Sequence, residues 1–266
     1  MRYFPFTFFL LIAAIEIGCA SHPQLDADLG LKKPIASEVP QRLQIGPTCG
    51  LYALGMVMDY WHGKNSNSPT VLVSNDDLKG KGRQFNFEPT SNERILTYVK
   101  GAGFSKAGEM YDAKLLAKTA AHFGYRATYY PHVTLQEIYK ALDQHHPMIV
   151  AFDVSPPDGE IGFLYGEGAH YAVLESYFDD QQKRYFVAKH GWGKRAEYIW
   201  KADQLLASMN NLRYTSYYSS SEPPKQLELS IYRHNSNLRN ISKTLQDKAI
   251  EIVPIGEIAA GGSEVN

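Results

Sequence analysis

The chain has 266 residues, enough for one large domain or two small ones, and its 44% hydrophobic, 12% aromatic and 21% charged composition excludes disorder as the main state. Its 27 basic and 28 acidic residues nearly cancel to a formal net charge of −1, so no overall field draws it to nucleic acid or to anionic lipid. Two cysteines, Cys19 and Cys49, are too few for a disulfide scaffold or a four-cysteine zinc site.

Arg2 precedes an apolar stretch from Tyr3 to Ile15 that is too short to span a bilayer as a helix, and small residues follow at Gly18-Cys19-Ala20. Residues 1–20 therefore read as a signal peptide, and the protein is expected to be exported, either secreted or anchored in a bacterial envelope. Cleavage after Ala20 and lipidation of Cys19 both remain open, because Glu16 stands where a lipobox carries an aliphatic residue. Membrane contact is expected only through such a lipid. Either route leaves Cys49 as the only unmodified thiol.

Residues 21–39 are polar and aperiodic and suit a flexible tether. Residues 40–257 form the expected folded domain, and 258–266, with Ala259-Ala260-Gly261-Gly262-Ser263, an expected disordered tail. Leu51, Leu54, Gly55, Met58 and Trp61 recur at helical spacing, which predicts an amphipathic helix over 49–62. Residues 63–90, rich in Gly, Asn, Ser and Pro, read as a long surface excursion. Three helices follow, the first capped by Ser91 or Asn92, the second by Asp112 and closed by Gly124, and the third opened by a Thr134/Glu137 capping box. After Pro147 short runs rich in β-branched and aromatic residues predict strands at 148–153, 170–177, 184–189, 197–200, 227–232 and 249–255. Helices first and then an antiparallel sheet give an α+β fold.

Cys49 stands at a predicted helix N-terminus, where unpaired backbone N–H groups and partial positive charge favour a thiolate. A small buried hydrophobe is the bland alternative. Gly50 allows close backbone approach by a substrate, and the Gln44 amide, five residues before Cys49, can reach a developing oxyanion. Among nine histidines, His170 best suits the base, because it follows the Gly166-Glu167-Gly168-Ala169 loop and opens a strand. His190, in Lys189-His190-Gly191-Trp192-Gly193, can orient that imidazole through a neutral ring nitrogen or be merely a strand residue. Lys189, Lys194 and Arg195 flank the turn that carries Trp192; they form either a basic rim for acidic substrates or ordinary surface charge. No zinc-protease, P-loop, dinucleotide or serine-hydrolase motif occurs, so no metal and no other cofactor is indicated.

Gln44-Ile-Gly-Pro-Thr-Cys49-Gly50-Leu51-Tyr-Ala53-Leu54, with Ala169-His170-Tyr171-Ala172-Val173, resembles papain-like cysteine peptidases of the double-glycine-leader-peptidase type. Within them, Gly108-Glu109-Met110-Tyr111, the 185–191 and 199–208 stretches and Ile252-Val253-Pro254-Ile255-Gly256 resemble the actin maturation protease family. The resemblance implies a papain-like fold with the nucleophile helix packed on the C-terminal sheet, Cys49 as nucleophile, His170 as base and Gln44 in the oxyanion hole. It further implies an aminopeptidase that removes the acetylated first residue of actin, possibly of a host, or of a similar acidic N-terminus. His190 stands where papain has asparagine. Two alternatives remain: a phytochelatin-synthase-like glutamylcysteine transferase, and a non-catalytic envelope lipoprotein that keeps the fold for binding.

Overall fold

The computed structural model describes residues 38–44, 47–64, 95–105, 108–155, 158–192, 195–212, 245–256 and 263–264. The signal segment, most of the tether, the 65–90 excursion, the Ser91/Asn92 cap and the 227–232 strand lie outside the described residues. Three helices come first: α1 (Cys49–Lys64), α2 (Ile95–Gly101) and α3 (Ala113–His122). Then follow β1 (Tyr125–Tyr130), α4 (Leu135–Asp143), β2 (Met148–Ser155), β3 (Glu160–Ile161), β4 (Ala169–Asp180), β5 (Lys183–Lys189), β6 (Tyr198–Lys201), α5 (Ala202–Asn210), β7 (Ala249–Pro254) and β8 (Ser263–Glu264).

The α+β class holds. The sheet runs β6-β5-β4-β2-β7-β1-β8, with β3 beside β2, and every pairing is antiparallel. Successive side chains on a strand face opposite ways. Ile149, Ala151, Tyr171, Val173, Ile250 and Ile252 accordingly pack with α1–α3, while Met148, Val150, Phe152, Ala172 and Leu174 pack with α4 and α5. Helices thus cover both faces, and the central strands read as near-continuous apolar runs for that reason.

Two elements depart from expectation. β1 lies among the helices in sequence yet pairs with β7 along its whole length, from Tyr125↔Pro254 to Tyr130↔Ala249. α5 was not foreseen either. The first helix was expected to be amphipathic, but α1 buries nearly all of its length from Gly50 to Trp61 and is a core helix, sandwiched rather than laid on a surface. Local caps match expectation: Asp112 accepts Lys114 N–H at 2.8 Å, and Thr134 and Glu137 form the capping box of α4.

Val39, placed in the tether by composition, is buried; its N–H donates to Glu175 at 3.1 Å and its carbonyl accepts Lys189 Nζ. Glu251, buried in β7, joins His146 and Tyr130 at 2.7 Å each, tying β7 to its surroundings with a buried polar cluster.

Candidate active site

α1 starts where Thr48, buried, offers its carbonyl to Tyr52 N–H at 3.0 Å, and the thiol of Cys49 thus sits on the first turn. A Cβ on Gly50 would lie 3.1 Å from the Tyr171 ring and 3.2 Å from Met110, a tight fit that glycine relieves where α1 closes on β4. The backbone N–H of Tyr171, the residue after His170, favours the Cys49 thiolate.

Burial raises the Cys49 thiol to about 11, against smaller lowering by the Tyr171, Gly50 and Cys49 N–H groups, and the Glu109 charge raises it further. The expectation of a thiol lowered by the helix end is therefore corrected: loss of solvent outweighs the helix N-terminus. His170, buried at the start of β4, is held well below its usual 6.5, first by burial and then by His190. The resting pair is a neutral thiol and a neutral imidazole.

His170 Nε2 lies 3.1 Å from His190 Nδ1, and the Trp192 backbone N–H donates to that same Nδ1 at 3.3 Å. A backbone N–H can only donate, so His190 Nδ1 carries a lone pair and its proton is on Nε2. His170 Nε2–H then donates to His190, which leaves His170 Nδ1 as the basic nitrogen. Burial holds His190 itself at about 4, with the Gly159 backbone opposing, so it stays a neutral acceptor. Its Nε2 lies beside the Gly159 backbone without reaching good hydrogen-bond geometry. Phe152, Tyr198 and Trp200 enclose the His190 ring, and Trp192 stands edge-on to His170 with centroids 5.8 Å apart.

Residues 38–44 form a strap across the end of β5. Besides the Val39 bonds, Gln41 Nε2 donates to the His190 carbonyl at 2.7 Å and Gln44 N–H to the Gly191 carbonyl at 2.8 Å. A Cβ on Gly191 would stand 2.6 Å from Gln44 Cβ, so the strap reaches this depth only against glycine. Gln44 is thereby fixed beside the His190 turn.

The basic rim needs correcting. Lys189 is buried, bonded to the Val39 carbonyl and 3.9 Å from Glu175, because it ends β5 beneath the strap. Arg195 pairs with Glu160, whose other oxygen accepts Trp200 Nε1 at 3.0 Å. Lys194 lies outside the described residues.

Sequence reasoning missed Asp153. It is fully buried on β2, opposite Ala169, and its carboxylate accepts Leu164 N–H at 2.9 Å and Gly166 N–H at 3.0 Å. Burial raises it to about 6, while the N–H groups of Gly166, Leu164 and Gly168 pull the other way. An aspartate inside the apolar run 148–154 is the signal that would have found it. Among the described residues no cluster of His, Cys, Asp and Glu has the arrangement to hold a metal, and no helix is long and apolar enough to cross a membrane.

The family model for the actin maturation protease-like C-terminal domain matches residues 39–178, a span that contains Gln44, Cys49 and His170. The Drosophila melanogaster actin maturation protease is 28% identical over 176 residues, covering 64% of this chain and 55% of that protein. The chain thus spans about half the length of that relative. A crystal structure of a C39-like peptidase from Bacillus anthracis aligns at 12% identity and a TM-score of 0.43, over 84% of this chain and 98% of that one.

Proposed function

The chain belongs to the actin maturation protease-like family, and from that premise we propose that it is a cysteine peptidase that removes the first residue of a protein or peptide. The observation that carries the reading is the 3.1 Å contact between His170 Nε2 and His190 Nδ1 beside a helix-starting cysteine. It orients an imidazole whose other nitrogen is free to take a proton.

In the proposed reaction, Cys49 Sγ attacks the scissile carbonyl as its proton passes to His170 Nδ1. That transfer needs thiol and imidazole to come within hydrogen-bond reach, and such contacts are commonly longer in resting structures. The Cys49 N–H and the Gln44 amide receive the oxyanion. On collapse the C–N bond breaks and His170 returns its proton to the leaving amine. Water, deprotonated by His170, then hydrolyses the thioester. His190 accepts the Nε2–H throughout and stabilises the imidazolium.

The finer reading, an acetylated, acidic N-terminus of the actin type, rests on the family and on the relative's name. Among the described residues, Lys189 and Arg195 add nothing to it, because they are already matched by Glu175 and Glu160. Cys49→Ala should abolish release of the first residue from peptides read by mass spectrometry; a variant that still cleaves overturns the nucleophile. Turnover of glutathione, with no peptide cut, would favour the transferase instead. Export through residues 1–20 is proposed on sequence alone, and the mass of the mature N-terminus distinguishes a start at Ser21 from a lipidated Cys19.

A further inference from the structure

Ser208, which closes the 199–208 stretch of the sequence, has no part in the chemistry above. Fully buried on α5, its hydroxyl donates to the Gly162 carbonyl at 2.9 Å and accepts the Asp153 N–H at 3.0 Å. Asp153, fully buried on β2, in turn accepts the N–H groups of Leu164 at 2.9 Å and Gly166 at 3.0 Å through its carboxylate, and that of Gly162 at 2.8 Å through its backbone carbonyl. These two residues thus fasten the loop between β3 and β4 at Gly162, Leu164 and Gly166.

Packing alone does not call for a carboxylate here, since burying one is unfavourable and its neighbours Phe152 and Val154 fill the core with apolar side chains. What Asp153 adds is one fixed course for the loop. Tyr165 at φ 58° and Gly166 at φ 98° are left-handed in succession, and for tyrosine such a conformation lasts only where the surroundings enforce it. Beyond them the Gly168 carbonyl accepts Val154 N–H at 2.9 Å, and a Cβ on Gly168 would meet the Val154 carbonyl at 2.5 Å. The loop therefore closes tightly on β2 and delivers Ala169 opposite Asp153 and His170 opposite Phe152.

His170 is the second residue of β4, at an end from which a strand opens most readily. His190 fixes the tautomer and rotation of its ring through the 3.1 Å contact, but a ring is placed only as well as the backbone that carries it. We propose that Asp153 and Ser208 are positioning residues for the base, which pin the β3–β4 loop and with it the backbone of His170. They act through His170 and are not themselves catalytic residues. Their effect on rate rests on the peptidase reading; their effect on the order of the His170 ring does not.

The test compares the full chain with Asp153→Asn and Ser208→Ala, each well below its own Tm, in two readouts. The first variant turns an amide N–H2 group toward the N–H groups of the loop, and the second removes one donor and one acceptor. In peptide cleavage followed by mass spectrometry, Asp153→Asn should lower kcat at least about tenfold and Ser208→Ala about threefold, with KM changed by less than about twofold, because a displaced reacting group costs rate and not binding. In a His170→Ala background neither should lower the residual rate further, since their route to the reaction is gone. In nitrogen NMR spectra of histidine-labelled protein, with His170 assigned by its loss in His170→Ala, the wild-type ring should show the Nε2–H tautomer, and both variants should move it toward the averaged values of a free imidazole. Should one variant fail to fold, the other carries both readouts. An unmoved His170 ring, an unchanged kcat with peptide still cut, a change confined to KM, or equal slowing in the absence of His170 overturns the proposal. A wild type that cuts no peptide while the variants loosen the His170 ring overturns the peptidase reading and leaves the hold on His170 standing.

Discussion

A neutral thiol facing a neutral imidazole sets the pH behaviour of Cys49 and His170. Iodoacetamide alkylation of Cys49 should accelerate with pH toward about 11, with no plateau near the usual thiol value of about 8.5. Because the Glu109 charge raises the thiol, Glu109→Gln should move that profile to lower pH. His170→Ala should slow turnover by at least about a hundredfold, the usual contribution of a positioned base. His190→Asn keeps an acceptor for His170 Nε2–H and should retain much of the activity, whereas His190→Ala should lose it; equal rates would remove His190 from the site. Cys49 and His170 were legible in the sequence because glycines beside a cysteine and before a histidine mark sites that a chain approaches closely. The tautomer of His190 was not, since it depends on the Trp192 N–H folding back onto its own turn. Lys189 was misread because its partners Val39 and Glu175 lie far away in sequence.

Among the elements, the strap at 38–44 and the turn at 190–192 act as one unit. Gly191→Ala would drive a methyl group into Gln44 Cβ and should lift the strap, lowering kcat and costing about 1–3 kcal/mol in denaturant melts. Thr134→Ala, which removes a capping box far from the chemistry, should cost about 1 kcal/mol without changing kcat. Caps of this kind are legible because their signals lie within four residues. α5 was legible in principle, since Ala202, Leu205 and Met209 recur at helical spacing and are all buried. β1 was not: in Tyr125-Arg126-Ala127-Thr128-Tyr129-Tyr130 both faces are covered, so alternation is lost and only its pairing with β7 makes it a strand.

For the molecule as a whole, buried histidines and a buried aspartate push acid stability in opposite directions. His170 and His190 have folded values below 6.5, so the unfolded chain binds their protons first. The His190 contribution is complete above about 6.5 and is lost as pH falls toward about 4, and that of His170 is lost in the same direction. Asp153, raised to about 6, contributes the reverse: it favours the fold at low pH, and that share is lost as pH rises from 3.8 through about 6. Scanning calorimetry of wild type and His190→Asn isolates one contribution. The Tm of the wild type relative to the variant should fall between pH 7 and about 4, and a constant difference would mean that His190 is not held neutral by the fold.

The position of β7 has a consequence in time. Residues 249–254 follow β1 to β6 in the chain, yet they fill the gap between β1 and β2 in the middle of the sheet. Until they arrive, β1 has no strand partner and the β6-β5-β4-β2 fragment keeps an open edge, and long-range pairing of this kind is slow. α1, made early, packs on β4 and β7 of the sheet that β7 completes. A chain arranged in this way completes the sheet beneath α1 only once β7 is in place, and its strand edges in that interval are exposed to mispairing.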